Sequence, residues 1–354
     1  MECGDGPSGF VSKYRRIRDR RLAFICICII AVAAVAVISA CVGSYPISPG
    51  DVYTIIANWI SGSEQTDATA AHIVLDLRMP RILGAIVCGI ALSICGAAMQ
   101  GMMKNPLADP YTMGISSGAG FGAAIAIILG FEVISGGGVI LNAFIFAIIP
   151  AMVILFLSRF RRATPTMMIL CGTSLMYLFN AMTQLFMLIA DPDDMSTVYQ
   201  WMVGSLDGIE YKELAVVFLV TVAGSVYIQS NADRLNILGA GDEAAKSMGI
   251  DVERQRLIML LMITLVASSV VSITGIIGFV GLIAPHICRH FVGSDNRYLV
   301  PASAMMGALL LLVSDVVAKT IVAPLMLPVG VITACIGGPL FMFLILRSEK
   351  EVWT

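Results

Sequence analysis

Charge is what this chain of 354 residues has least of: Asp, Glu, Lys and Arg make up 13% of it, against 58% hydrophobic residues. Soluble domains hold about 25% charged residues, so no water-soluble core accounts for this composition, and the mean hydropathy of +0.89 agrees. A spaced metal or redox framework is missing too, since no C-x-x-C pair occurs. No G-x-x-x-x-G-K-[ST] loop is present either, so ATP hydrolysis, if it drives this protein, belongs to another polypeptide. The formal net charge of −2 supplies no basic domain for nucleic acid.

Long uncharged runs fill the space instead. A helix needs roughly 20 apolar residues to cross a bilayer, and such runs cover 22–43, 82–100, 111–131, 133–158, 166–190, 214–232, 299–318 and 322–346. The run 257–288 is too long for one crossing and carries Gly275, Gly278 and Gly281, which reads as a tight helical hairpin. The expectation is an all-α membrane protein of about ten transmembrane helices. Residues 1–21 form a basic N-terminal segment, 22–347 the membrane domain, 233–256 its longest loop and 348–354 a tail. With the N-terminus inside, eighteen Lys and Arg fall on inner segments and only Arg78, Arg81, Lys212 and Lys319 outside. Cytoplasmic loops carry that excess, so both termini are expected in the cytoplasm of a plasma or inner membrane protein.

Small residues let helices approach closely in lipid, and Gly84, Gly89, Gly96, Gly114, Gly118, Gly122, Gly307 and Gly337 suit that use. Cys26, Cys28, Cys88, Cys95, Cys171, Cys288 and Cys335 lie in or beside apolar runs, where Cys packs as a small hydrophobe. In the long inner loop, Asp242-Glu243-Ala244-Ala245 through Gly249 reads as a short helix with a small-residue face at Ala244 and Ala245, stopped by a C-terminal glycine. It suits either a groove on a soluble partner or a merely solvated helix. His286 and His290 are spaced i, i+4, but no third ligand is near, and no metal site is expected.

Several separate blocks, in order, resemble the FecCD permeases of ABC importers for iron-siderophores, haem and cobalamin. They are Leu77-Arg78-Met79-Pro80-Arg81, Gln100 with Asn105-Pro106-Leu107-Ala108-Asp109-Pro110 and Gly114, Gly275 to Pro285-His286, Leu327 to Val331, and Gly337-Gly338-Pro339. The resemblance implies a type II importer permease without a cofactor of its own, the ATP and Mg lying on two cytoplasmic ATPase subunits. It also implies a second copy of the chain and an extracytoplasmic substrate-binding protein. On that footing Asp242, Glu243, Ala244, Ala245 and Gly249 couple to the ATPase, and Arg78, Arg81 and Lys319 dock the binding protein. Thr164, Pro165 and Thr166 edge the cytoplasmic gate. Asp315, four residues before Lys319 on the same helical face, makes a structural ion pair an alternative there. Iron(III)-siderophore is the first cargo and cobalamin the second, with haem or molybdate behind. A secondary transporter would place acids mid-span, and the span interiors here are almost wholly uncharged.

Overall fold

The computed structural model describes residues 7–347 apart from 44, 135 and 324, with side chains described over most of that range. The tail 348–354 lies outside the described residues. Among those described, every regular element is helical.

Among the described residues, seven helices are long and apolar enough to cross a membrane. They include α1 (Pro7–Cys41), whose first turns carry the basic segment on the same rod as the first span. Between it and the next span lie α2 (Pro49–Ser61), the short α3 (Ala68–His72) and a π-helical stretch, Ile73–Arg78. The π-helix runs on without a break into α4 (Met79–Met103). The hydropathy pattern gave no sign of α2, because its thirteen residues are amphipathic rather than uniformly apolar. A 3₁₀ turn at Pro110–Met113 precedes α5 (Ile115–Leu129), α6 (Gly138–Leu157) and α7 (Pro165–Ile189). The connection after α7 holds α8 (Pro192–Val203), and α9 (Tyr211–Ser230) follows. Two short helices, α10 (Ala232–Ala240) and α11 (Asp242–Ser247), lead to α12 (Val252–Thr274). The chain closes with α13 (Val280–Val292), α14 (Asn296–Thr320) and α15 (Val329–Arg347).

The core is α4, buried along nearly its whole length and packed by α9, α12, α13 and α14. Glycines set those contacts. A Cβ on Gly96 would stand 1.9 Å from the Gly281 carbonyl oxygen, and one on Gly89 would stand 2.5 Å from that of Gly307. Backbones this close gain dispersion contact that lipid cannot match.

The run expected to be a helical hairpin folds as α12, a non-helical stretch and the short α13. α12 ends at Thr274, residues 275–279 run without helix, and α13 has only 13 residues. At 1.5 Å per residue that is about 20 Å, short of a hydrocarbon core of about 30 Å. Gly275 takes φ +67 and Phe279 φ +70, so the chain leaves α12 and enters α13 through left-handed backbone.

Candidate functional site

Two charged constellations sit at opposite ends of the bundle. At the end holding the loops after α1 and α14, Arg81 donates from Nε to Asp315 Oδ1 at 2.5 Å and from Nη1 to Asp207. Asp315 also takes Lys319 Nζ at 2.6 Å, one turn further along α14. That ammonium reaches Ser39 Oγ on α1 at 3.2 Å. Arg78 donates to the carbonyls of Ala40, at 2.6 Å, and Tyr45. Gly43 leaves room for it, since a Cβ there would lie 2.9 Å from Arg78 Nη2. Arg78, Arg81, Asp207 and Lys319 line a cavity of about 400 Å³. Arg78, Arg81 and Lys319 are only 7%, 5% and 6% exposed, and Asp315 is fully buried. The three cations that the sequence places outside are thus turned inward, tying α1, α4, α14 and the loop before α9 together. The i, i+4 pair anticipated for Asp315 and Lys319 is present. Asp207 is the exposed member of the network.

The other constellation surrounds α11. Asp242 accepts Arg256 Nη1 at 2.8 Å and Nη2 at 2.7 Å, and Lys104 Nζ at 2.8 Å. One carboxylate therefore joins the start of α11 to α12 and to the end of α4. The hydrogen bonds from Arg256, seconded by those from Lys104 and opposed by partial burial, hold the Asp242 carboxyl below the usual carboxylate range. The two alanines of the expected small face part company. Ala245 is fully buried with Leu238 and Val252, whereas Ala244 is exposed beside Glu243. Met248, 66% exposed, joins them on the outward side. Gly249 has φ +79, and its amide donates to the Lys246 carbonyl at 2.9 Å, ending α11 in the left-handed turn expected of it.

A family model for the FecCD transport family matches residues 28–347. The chain belongs to the FecCD transport family. It is an ABC transporter permease subunit and not an ATPase. It is 39% identical to an ABC transporter permease protein of Methanocaldococcus jannaschii over 96% of this chain and 99% of that one. Identity to the hemin transport system permease of Yersinia pestis is 36%, over 79% of this chain and 85% of the relative. A solved metal-chelate type ABC transporter, in an inward-facing conformation, superposes with a TM-score of 0.80 at 29% identity, covering 91% of this chain and 98% of the other.

The remaining FecCD motif residues have local work. Gln100 is fully buried on α4, with Nε2 3.4 Å from the carbonyls of Gly281 and Leu282 at the start of α13. Asn105 Oδ1 accepts the Leu107 amide at 2.9 Å, closing the turn that Pro106 begins. Gly114 takes φ +86 between the 3₁₀ turn and α5. Pro285 lies inside α13. His286, buried there, faces Phe341 edge-on, and its ring centroid is 5.4 Å from that of His290. Among the described residues no group of three metal-ligating side chains forms. Thr164 caps α7, its Oγ1 accepting the Met167 amide at 3.3 Å, with Pro165 in the first turn. Thr164 and Thr166 are exposed.

Sequence reasoning missed a meeting of three glycines in the FecCD fold. A Cβ on Gly204 would lie 2.3 Å from the Ile276 oxygen, one on Gly275 2.1 Å from the Trp201 oxygen, and one on Gly330 2.0 Å from the Val203 oxygen. The end of α8, the non-helical 275–279 stretch and the start of α15 therefore meet backbone to backbone at these glycines. The Ser205 amide also donates to the Thr274 carbonyl at 2.8 Å, and that of Gly330 to Gly204 at 3.0 Å. No local pattern links glycines so far apart in the chain.

Proposed function

We propose that this chain crosses the membrane ten times with both ends cytoplasmic, and that two copies form the channel of an importer for a metal chelate. The seven long spans together with α5, α15 and the short α13 taken with the 275–279 stretch ahead of it supply ten crossings. The cationic bias of the segments on the α11 side supports the orientation. Iron(III)-siderophore is the leading cargo and cobalamin the alternative, in line with relatives that handle metal chelates.

The observation that carries the mechanism is the Asp242 clasp. A cytoplasmic ATPase that seats against Glu243, Ala244 and Gly249 moves α11, and Asp242 passes that motion to α12 through Arg256 and to α4 through Lys104. ATP binding then biases the bundle between two arrangements of the path, whose cytoplasmic edge holds Thr164 to Thr166. At the other end the binding protein docks over the Arg78, Arg81 and Lys319 cavity. One of its carboxylates takes the place of Asp207, the exposed carboxylate partner of Arg81.

The test is uptake of radiolabelled iron(III)-siderophore, and of cobalamin in parallel, into proteoliposomes holding the assembled transporter and its binding protein. ATP-dependent accumulation that survives collapse of ion gradients supports the reading. Uptake without the ATPase that vanishes with the gradient reverses it.

A further inference from the structure

A groove of about 760 Å³ opens on the side of the bundle between α1, α9 and α14, with α4 as its floor. Ile25, Ile29, Ile94, Val226, Val300 and Ala304 give it apolar walls. Ile29 and Val226 are 48% and 65% exposed on spanning helices, so the groove faces the hydrocarbon. No step of transport described above uses these residues.

The groove lies in the half of the bundle where α1 begins, α9 ends and α14 starts. There α1 presents Arg15, Arg16, Arg18, Arg20 and Arg21 within seven residues, with Asp19 as the one acid among them. The first four arginines are exposed. Among the described residues no acid pairs with Arg15, Arg16 or Arg20. Helical spacing puts Arg18, Arg21, Ile25 and Ile29 on one face. A single stripe thus descends from guanidinium to groove, Arg18 standing about 10 Å from Ile25 along the axis. Across the mouth, Arg297 precedes the groove residue Pro301 by one turn of α14. Gln229 Nε2 donates to its carbonyl at 3.0 Å, placing an amide at the rim. Asp295 fixes this rim by pairing with Arg21 at 3.6 Å and Arg297 at 2.8 Å.

We propose that the groove binds an anionic phospholipid, one acyl chain lying against Ile25, Ile29 and Val226 and the phosphate resting on the arginines of α1. Basic clusters adjoining a span attract anionic headgroups, and an apolar groove adds chain burial that the cluster alone lacks. A second copy of this chain fits the groove poorly, because a twofold contact would bring one arginine cluster against the other.

The test uses the full chain in its transporter complex, stripped of lipid in detergent. Native mass spectrometry before stripping reports retained lipid. Unfolding temperature is then read with added dioleoyl phosphatidylglycerol, dioleoyl phosphatidylcholine or inorganic phosphate. Phosphatidylglycerol is expected to be retained and to stabilise, with phosphatidylcholine at least tenfold weaker and phosphate without effect. Arg15→Gln with Arg16→Gln, Arg18→Gln and Arg20→Gln should remove the headgroup preference while leaving weak binding of both lipids. Ile29→Trp with Val226→Trp, at exposed positions that tolerate bulk, should abolish retention with assembly intact. Equal response to the two lipids, stabilisation by phosphate alone, or retention unchanged by the tryptophans would overturn the proposal. So would tryptophans that split the dimer, which would make the groove a subunit interface.

Discussion

Asp242, at the first position of α11, grips both terminal nitrogens of Arg256, a side chain only 1% exposed. A bidentate fork of this kind fixes direction as well as distance, so α11 cannot pivot freely on α12.

Asp242→Asn should therefore lower stability by about 1–2 kcal/mol, less than for a wholly buried pair because Asp242 is partly solvated. ATPase stimulation by the permease should fall further than stability does. Because the folded carboxyl titrates below its unfolded value of about 3.9, its contribution is present in full above that value. It is lost as pH falls through the folded pKa. Unfolding curves of the two proteins should run parallel from pH 8 to about pH 5 and converge in stronger acid. A gap that widens on acidification would contradict this assignment.

Removing Arg81 strands Asp315 with Lys319 alone in a fully buried site. Arg81→Ala should cost about 3–5 kcal/mol, visible as loss of folded protein in detergent. Asp207→Asn, on the exposed arm of the same network, should cost under about 1 kcal/mol. Equal costs would mean that the network is not organised around Asp315.

Gly96→Ala drives a methyl into the Gly281 carbonyl and should cost about 1–3 kcal/mol by forcing α4 and α13 apart. Gly278→Ala meets nothing within 4 Å and should fold normally. Thermal unfolding of the pair separates close backbone approach from a general sensitivity of glycines.

A single cysteine at Glu243, in a background without the native cysteines, should react with membrane-impermeant maleimide only in inverted vesicles. Labelling in right-side-out vesicles would invert the orientation proposed for every span.

The helical architecture was legible because uncharged runs of spanning length are a strong signal and few alternatives compete with it. Gly249 was legible for a local reason, since a glycine after a short helix has one common use. The inward turn of Arg78 and Arg81 was not. Their partners, Ala40, Tyr45, Asp207 and Asp315, are supplied by tertiary packing, and only Asp315 with Lys319 is close enough in sequence to suggest a pair. Ala244 and Ala245 show the same limit within one helix: composition marks both as small, and only packing against Leu238 and Val252 tells which one faces in.

In the ten-span arrangement proposed above, the unwound stretch 275–279 falls at membrane depth, where main chain must be enclosed by protein or wetted by a cavity. Its first residues, Gly275 and Ile276, pack against Trp201, Gly204 and Gly330. With main chain against main chain at Gly204, Gly275 and Gly330, α13 has little slack at its first turn. Whatever displaces it has to carry α8 and the head of α15 along, and the three elements behave as one lever rather than as three hinges.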